Sequence, residues 1–355
     1  MTRKHFSVAF AAVMMLAYSA DARIIRPTIG GSVFIDRNAD FNASLGEGIS
    51  GATVRLFQDN GDGIFNPGQG DTQVGQDVST LGDGSYMFDN LEIGKSYFVQ
   101  RPSQMAGSLN LGNDVSGLIS PTTPTLMIDS FATPQGVRAD TASPIATSSV
   151  AVDSTEVLGG ERDLYLELNS GFGNAKLRVS AYSEDLLQYD TTSGVRGMSI
   201  VTWDGPDRSS SKVPAMGLHD FDLTNNGEND AILVKMGVDL TGFGDRAIFR
   251  IFEGGSDNFS EASIDFPITD GTATAFGFVS LDDFAGSVDP SRIDALQMIL
   301  GDGNKSIDAQ IDYVGVVDAN ANHDFRVNVV PEPNSLLLVI VGIALIATGF
   351  YRRDY

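Results

Sequence analysis

The chain has 355 residues, with 46 acidic against 23 basic side chains and a formal net charge of -23. So acidic a balance excludes nucleic acid and anionic lipid as partners, because both are recognised by clustered Lys and Arg, and it suits divalent cations. There is no cysteine, so disulfides and thiol nucleophiles are excluded and folding rests on the core or on metal.

The chain opens on a basic leader, Met1-Thr2-Arg3-Lys4-His5, followed by an apolar stretch from Phe6 to Tyr18 and a small-x-small site at Ala20-Asp21-Ala22. This is the pattern of a secretory signal peptide over residues 1–22, with the mature chain beginning at Arg23 outside the inner membrane.

Residues 30–104 are dense in Gly, Asp and Asn. GATVRLF (51–57), GSYMFDNL (84–91) and KSYFVQ (95–100) are short period-two runs bounded by turn residues, which predicts β-strands. Between them lie acidic loops. Counted as a twelve-residue calcium loop from Asp36, the first places Asp36, Asn38 and Asp40 at positions one, three and five. The Asn42 carbonyl then falls at seven, Ser44 at nine and Glu47 at twelve. Phe41 stands where a glycine would normally supply a positive φ. A second cluster, Asp59-Asn60-Gly61-Asp62-Gly63 with Asp71, has Gln58 in the first register position and is a candidate to share a site with the first. The competing reading is that both are solvated Asp/Gly turns.

These loops resemble the B-repeat (SdrD B-like) domains of Sdr-type surface adhesins, relatives of the Cna-B fold. The resemblance also rests on the G-x-V-F-x-D opening at Gly31 to Asp36 and the G-x-Y-x-F-x-x-L signature at Gly84 to Leu91. It implies a prealbumin-like β-sandwich over residues 30–104, serving as a Ca2+-stiffened stalk. The Lys-Asn isopeptide bond of some Cna-B relatives is not expected, since Lys95 is the only lysine of this region and does not fall on the first strand.

Residues 105–125, ending in Ser120-Pro121-Thr122-Thr123-Pro124-Thr125, read as a linker. From 126 to 322 the chain alternates again: RDLYLEL, KLRVSAYS, GMSIVTWD, AILVKMGVDL, RAIFRIF, ASIDFPI, TAFGFVSL, DALQMIL and AQIDYVGVV. Helical periodicity is scarce, so the fold class is all-β, two tandem sandwiches. The strand sequence of the second region resembles the jelly-roll sandwiches of galactose-binding-like carbohydrate-binding modules, which implies a surface or matrix glycan as ligand. Trp203, the only tryptophan, is either an aromatic platform for sugar or part of the core. Catalysis has little support: the mature chain has two histidines and no G-x-S-x-G elbow. The alternative is a glycosidase whose paired carboxylates lie in this region, Glu156, Glu161 and Asp163 being the nearest cluster.

At the end stand Pro331-Glu332-Pro333, an apolar run from Leu336 to Phe350 and Arg352-Arg353. This constellation, over residues 330–355, resembles the PEP-CTERM sorting signal. It implies a short transmembrane helix with its arginines cytoplasmic, recognition by an exosortase-type transpeptidase, cleavage near the tripeptide, and delivery to the cell surface or an exopolysaccharide matrix. The competing reading is a permanent single-span anchor.

Overall fold

The computed structural model of the protein describes residues 27–180, 184–238, 246–267, 269, 272–301 and 308–327. The expected signal peptide and the sorting segment, with Pro331, Glu332, Pro333, Arg352 and Arg353, lie outside these residues. Apart from two single-turn 3-10 segments, the described chain is built of β-strands, and it divides into two compact units. Among the described residues no helix is long and apolar enough to cross a membrane.

The first unit contains β1 (Thr28–Ile35), β2 (Thr53–Gln58), β3 (Thr72–Ser79), β4 (Ser85–Phe88) and β5 (Tyr97–Arg101). They are followed by β6 (Gln104–Ala106), β7 (Leu109–Leu111) and β8 (Asp114–Val115). One sheet has the order β3-β2-β5-β8; in the other, β1 pairs antiparallel with β4. The alternation of GATVRLF becomes burial directly: Val54 and Leu56 point into a core with Ile29, Val33, Tyr97 and Val99, while Thr53 and Arg55 stay partly exposed. Such full burial contributes about 1.5–3 kcal/mol per large aliphatic or aromatic side chain.

The stretch read as a linker is part of this unit. β6 and β7 form a hairpin of their own, β8 pairs with β5, and Ile119 bridges to Tyr97, so 104–119 is ordered by strand pairing within this unit. Polar, turn-rich composition concealed this because the strands are only two or three residues long. β3 was equally hidden: TQVGQDVS lies mostly exposed along the sheet edge and so shows no alternation. Its pairing with β2 shifts register between Val54 and Leu56, and Gly75 (φ +67°) supplies the left-handed residue of a bulge that blunts the edge.

The second unit begins with β9 (Leu126–Asp129), β10 (Gln135–Asp140), β11 (Ile145–Ala151), β12 (Glu161–Ser170), β13 (Asn174–Val179), β14 (Leu187–Thr191) and β15 (Arg196–Trp203). It continues through β16 (Ala231–Val238), β17 (Arg246–Phe252), β18 (Phe259–Asp265), β19 (Ala275–Ser280), β20 (Ala285–Gly286), β21 (Ala295–Leu300) and β22 (Ala309–Val317). Two seven-stranded sheets result. One runs β10-β13-β14-β22-β16-β19, with β9 beside β22, and the other β11-β12-β15-β21-β17-β18-β20. One core, including Leu164, Leu166, Val201, Phe249, Ile251, Leu296 and Met298, fills the unit.

The boundary at 322 needs correction. β22 ends the second unit, whereas β23 (Asn320–Asn322) and β24 (Phe325–Val327) belong to the first, pairing in parallel with the two halves of β1. This explains Gly31 in the opening motif: a Cβ there would sit 1.9 Å from the His323 carbonyl oxygen. Tyr86 of the G-x-Y signature donates its hydroxyl to the same carbonyl.

Candidate functional site

The two acidic loops of the first unit form two separate groups, not one shared site. Carboxylate oxygens of Asp36, Asp40 and Glu47 lie within 4.8 Å of one another, as do those of Asp59, Asp62 and Asp71. The loops share a plan. In the first, Asp40 N–H donates to Asn38 Oδ1 (3.0 Å) and Asn42 N–H to Asp40 Oδ1 (2.9 Å), while Glu47 accepts from Arg37 and Ser44 N–H. In the second, Asp62 N–H donates to Asn60 Oδ1 (2.9 Å) and Ile64 N–H to Asp62 Oδ1 (2.8 Å), while Asp71 accepts from Asn60 and Asn66 N–H.

Phe41 takes the glycine conformation despite its bulk, with φ at +67° beside +69° for Gly63. Its ring lies under the Arg326 guanidinium at 4.3 Å, which offsets part of the strain. In the second loop Asp59, one residue after Gln58, stands with Asp62 and Asp71 and accepts from Gly63 N–H at 3.1 Å. The backbone N–H of Asn42 holds the Asp40 carboxyl below its usual range, and that of Ile64 does the same for Asp62. Any support these two lend the fold is therefore present above the unfolded carboxylate value and is lost as the pH falls.

In the second unit Trp203 is fully buried, which removes it as a sugar platform. Its indole Nε1–H donates to Asp129 Oδ2 at 2.8 Å, and Asp129 takes two bonds of 2.6 Å from the Arg162 guanidinium. Glu156 belongs to this anchor, accepting from Thr133 and standing 3.5 Å from Arg162. Among the described residues Glu161 and Asp163 gather with Asp207 and not with Glu156, so the cluster named for the glycosidase alternative does not converge. Alternation decides the matter: Arg162, Leu164 and Trp203 face inward, whereas Asp163, Tyr165 and Thr202 face outward.

That outward face carries a groove of about 400 Å³. Cross-strand register aligns one polar row over six strands: Ser149 opposite Asp163, Asp163 opposite Thr202, Thr202 opposite Gln297, Gln297 opposite Arg250, and Arg250 opposite Glu261. Gln297 donates to Thr202 Oγ1 at 3.0 Å, and Arg250 Nε donates to Glu261 at 2.7 Å, which orients the guanidinium toward the groove. Beside the row stand Tyr165, Ile200, Phe252 and Phe259, with Arg250 lying 4.9 Å from the Phe259 ring centroid. Burial and the acceptor Glu167 push the Tyr165 phenol up to about 12, so it remains a donor at neutral pH.

The remaining wall is the segment Ser209–Val213, launched from the WDG turn. Gly205 (φ +84°) is needed there, since a Cβ would lie 2.6 Å from the Gly217 carbonyl oxygen. Glu161 Oε1 then accepts the N–H groups of Asp207 (3.0 Å) and Arg208 (2.6 Å) and ties the segment to β12. Sequence reasoning missed this groove because its residues are scattered from 165 to 297. The polar positions of each strand were visible, but not the register that aligns them.

No protein-family model matches the chain, and no curated protein matches it. Among solved structures it is similar to the family 11 carbohydrate-binding module of a cellulosomal cellulase of Clostridium thermocellum, with 13% identity over 56% of this chain and 95% of that one, at a TM-score of 0.29. It is also similar to SGBP-B from a complex xyloglucan utilization locus in Bacteroides uniformis (12% identity, 82% of this chain and 73% of that one, TM-score 0.24). A third is the full-length major pilin SpaD of Corynebacterium diphtheriae (11% identity, 83% and 56%, TM-score 0.18). Likeness at this level decides nothing about function, which has to be read from the groove and the loops.

Proposed function

We propose that this is a secreted, non-enzymatic protein of the cell surface or exopolysaccharide matrix, whose second unit binds a glycan in the groove and whose first unit is stiffened by Ca2+. The observation that carries the reading is the polar row Thr202-Gln297-Arg250 flanked by Tyr165 and Phe259. A pyranose ring has apolar faces that stack on aromatic side chains and hydroxyls that suit fixed amide and guanidinium donors. On a glycan array followed by calorimetry, Tyr165→Ala and Arg250→Ala should each weaken binding about tenfold or more while leaving the melting temperature in place. Binding without turnover in a parallel hydrolysis assay supports this reading. Turnover would favour the glycosidase alternative.

Calcium enters because each loop cluster brings three carboxylates, the hard oxygen donors such an ion takes, within 4.8 Å of one another, and because Asp36 Oδ1 is buried without a partner. Asp36, Asp40 and Glu47 would hold one ion and Asp59, Asp62 and Asp71 another, with Asn38 and Asn42 shaping the first loop. Sorting rests on the terminal motifs. Alanines at Pro331, Glu332 and Pro333 should leave the intact chain in the inner membrane, read by fractionation and intact mass. Release with unchanged mass would instead make the tail an anchor or place the cut elsewhere.

A further inference from the structure

Asp163 and Asp204 are explained by neither the groove nor the core. Both are 1% exposed, and among the described residues no backbone N–H or cationic side chain donates a well-formed hydrogen bond to any of their four carboxylate oxygens. The Ser149 hydroxyl, opposite Asp163 on β11, is a neutral donor beside that carboxylate. An ionised carboxylate is tolerated in such a place when it is paired or bound to metal. Pairing is absent: among the described residues no Lys or Arg forms an ion pair with either group, and Arg162, between Glu161 and Asp163 in the chain, is committed to Asp129. More negative charge gathers at the same point instead. Oxygens of Glu161, Asp163 and Asp207 all lie within 4.8 Å of one another, and the Asp204 carboxyl stands beside that of Asp163 at the margin of this trio.

We propose that Glu161, Asp163, Asp204 and Asp207 bind a divalent cation of the calcium type. The donor set is all oxygen, with neither His nor Cys, which selects a hard cation over zinc or copper. Burial opposes the ionised form of both Asp163 and Asp204, and the neighbouring acids add to it. Buried carboxyls crowded in this way repel one another, and a bound cation would remove that repulsion. The ion would join β12, through Glu161 and Asp163, to the segment after β15, through Asp204 and Asp207. Glu161 already holds that segment by two backbone N–H groups, and its continuation walls the groove. This cation site stands whether or not the groove binds sugar.

Trp203 supplies a selective probe, because it is the only tryptophan and directly precedes Asp204. Terbium added to the full mature chain should show emission sensitised by tryptophan excitation, and excess calcium should quench it. Asp204→Asn and Asp163→Asn should each weaken terbium binding about tenfold or more, since affinity follows the number of ligand charges. Asp36→Ala, in the other unit, should leave the emission unchanged. Near-ultraviolet circular dichroism of Trp203 reports whether each variant is folded. Should the Asn variants fail to fold, calcium stoichiometry of an Asp36→Ala/Asp71→Asn double variant decides: one retained ion supports the site, and none overturns it. Absence of sensitised emission in the parent chain, or equal emission in a folded Asp204→Asn, also overturns it and leaves a carboxyl pair sharing a proton.

Discussion

Arg162→Met should destabilise the second unit by about 3–5 kcal/mol, because it strands an ionised Asp129 in the core without its counter-ion. The guanidinium is wholly buried and donates two 2.6 Å bonds to Asp129 and a third, of 2.9 Å, to the Thr133 carbonyl, while lying 5.4 Å from the Phe131 ring centroid. After the substitution only the Trp203 indole and the Phe131 N–H still donate to the carboxylate. For a unit of this size the melting temperature should fall on the order of 10 °C. Trp203 fluorescence during urea unfolding measures it in this unit alone. Asp129→Asn/Arg162→Met should recover part of the loss, since removing both charges avoids the stranded one. In the single variant Asp129 would lie above its unfolded value, so the stability that remains should decline as the pH rises through it. A cost below about 1 kcal/mol for Arg162→Met would mean that the carboxyl takes up a proton without strain and that the pair is not what anchors β9 to β12.

The second unit shows what alternation does and does not reveal. In RDLYLEL the inward residues are Leu164, Leu166 and Leu168, and the regular spacing made the strand legible. The same spacing put Asp163 and Tyr165 on the outer face, but nothing local says that Thr202, Gln297 and Arg250 will stand in one row with Asp163. That row depends on β21 lying between β15 and β17, and the β15–β21 pairing is made across more than ninety residues. Trp203 was ambiguous for a related reason. A tryptophan at a strand end serves as platform or core depending on which partner its Nε1–H finds, and Asp129 is 74 positions away. The strand IATSSVA (β11) escaped notice because small and polar residues occupy positions that its neighbour half covers, and LQYDT (β14) because its alternation of buried Leu187, Tyr189 and Thr191 runs for only five residues.

In the first unit the acidic loops were legible because an Asx-turn plan is local: each carboxylate accepts backbone N–H groups within a dozen residues. The return of 320–327 to β1 was not, since the chain up to 322 read as the end of the neighbouring sandwich until β23 and β24 are seen to pair with the two halves of β1, on the edge that β4 leaves open.

Calcium should raise the melting temperature of this first unit by roughly 10 °C over chelator, the effect of about 2.7 kcal/mol at a hundredfold excess over Kd acting on a unit of this size. Between residues 30 and 104 ten carboxylates face four cationic side chains, and no disulfide supplements the core. One of those cations, Arg55, is spent on Asp77 across β2 and β3, in an exposed pair of little value. The repulsion is concentrated in the two loops, where each trio of carboxylates lies within 4.8 Å, so an ion there relieves charge in the folded chain that the unfolded chain disperses. Calorimetry of the full mature chain isolates the effect, because any transition silent in Trp203 fluorescence belongs to the first unit. Asp36→Ala should remove the first loop's share of the shift, and Asp71→Asn the second's. Millimolar calcium is enough even for a weak extracellular site. Equal transitions in calcium and chelator, with no heat of binding lost in either variant, would reduce both loops to hydrogen-bonded turns. Phe41 would then be held in its left-handed conformation by its own backbone bond to Asp36 and by Arg326 alone.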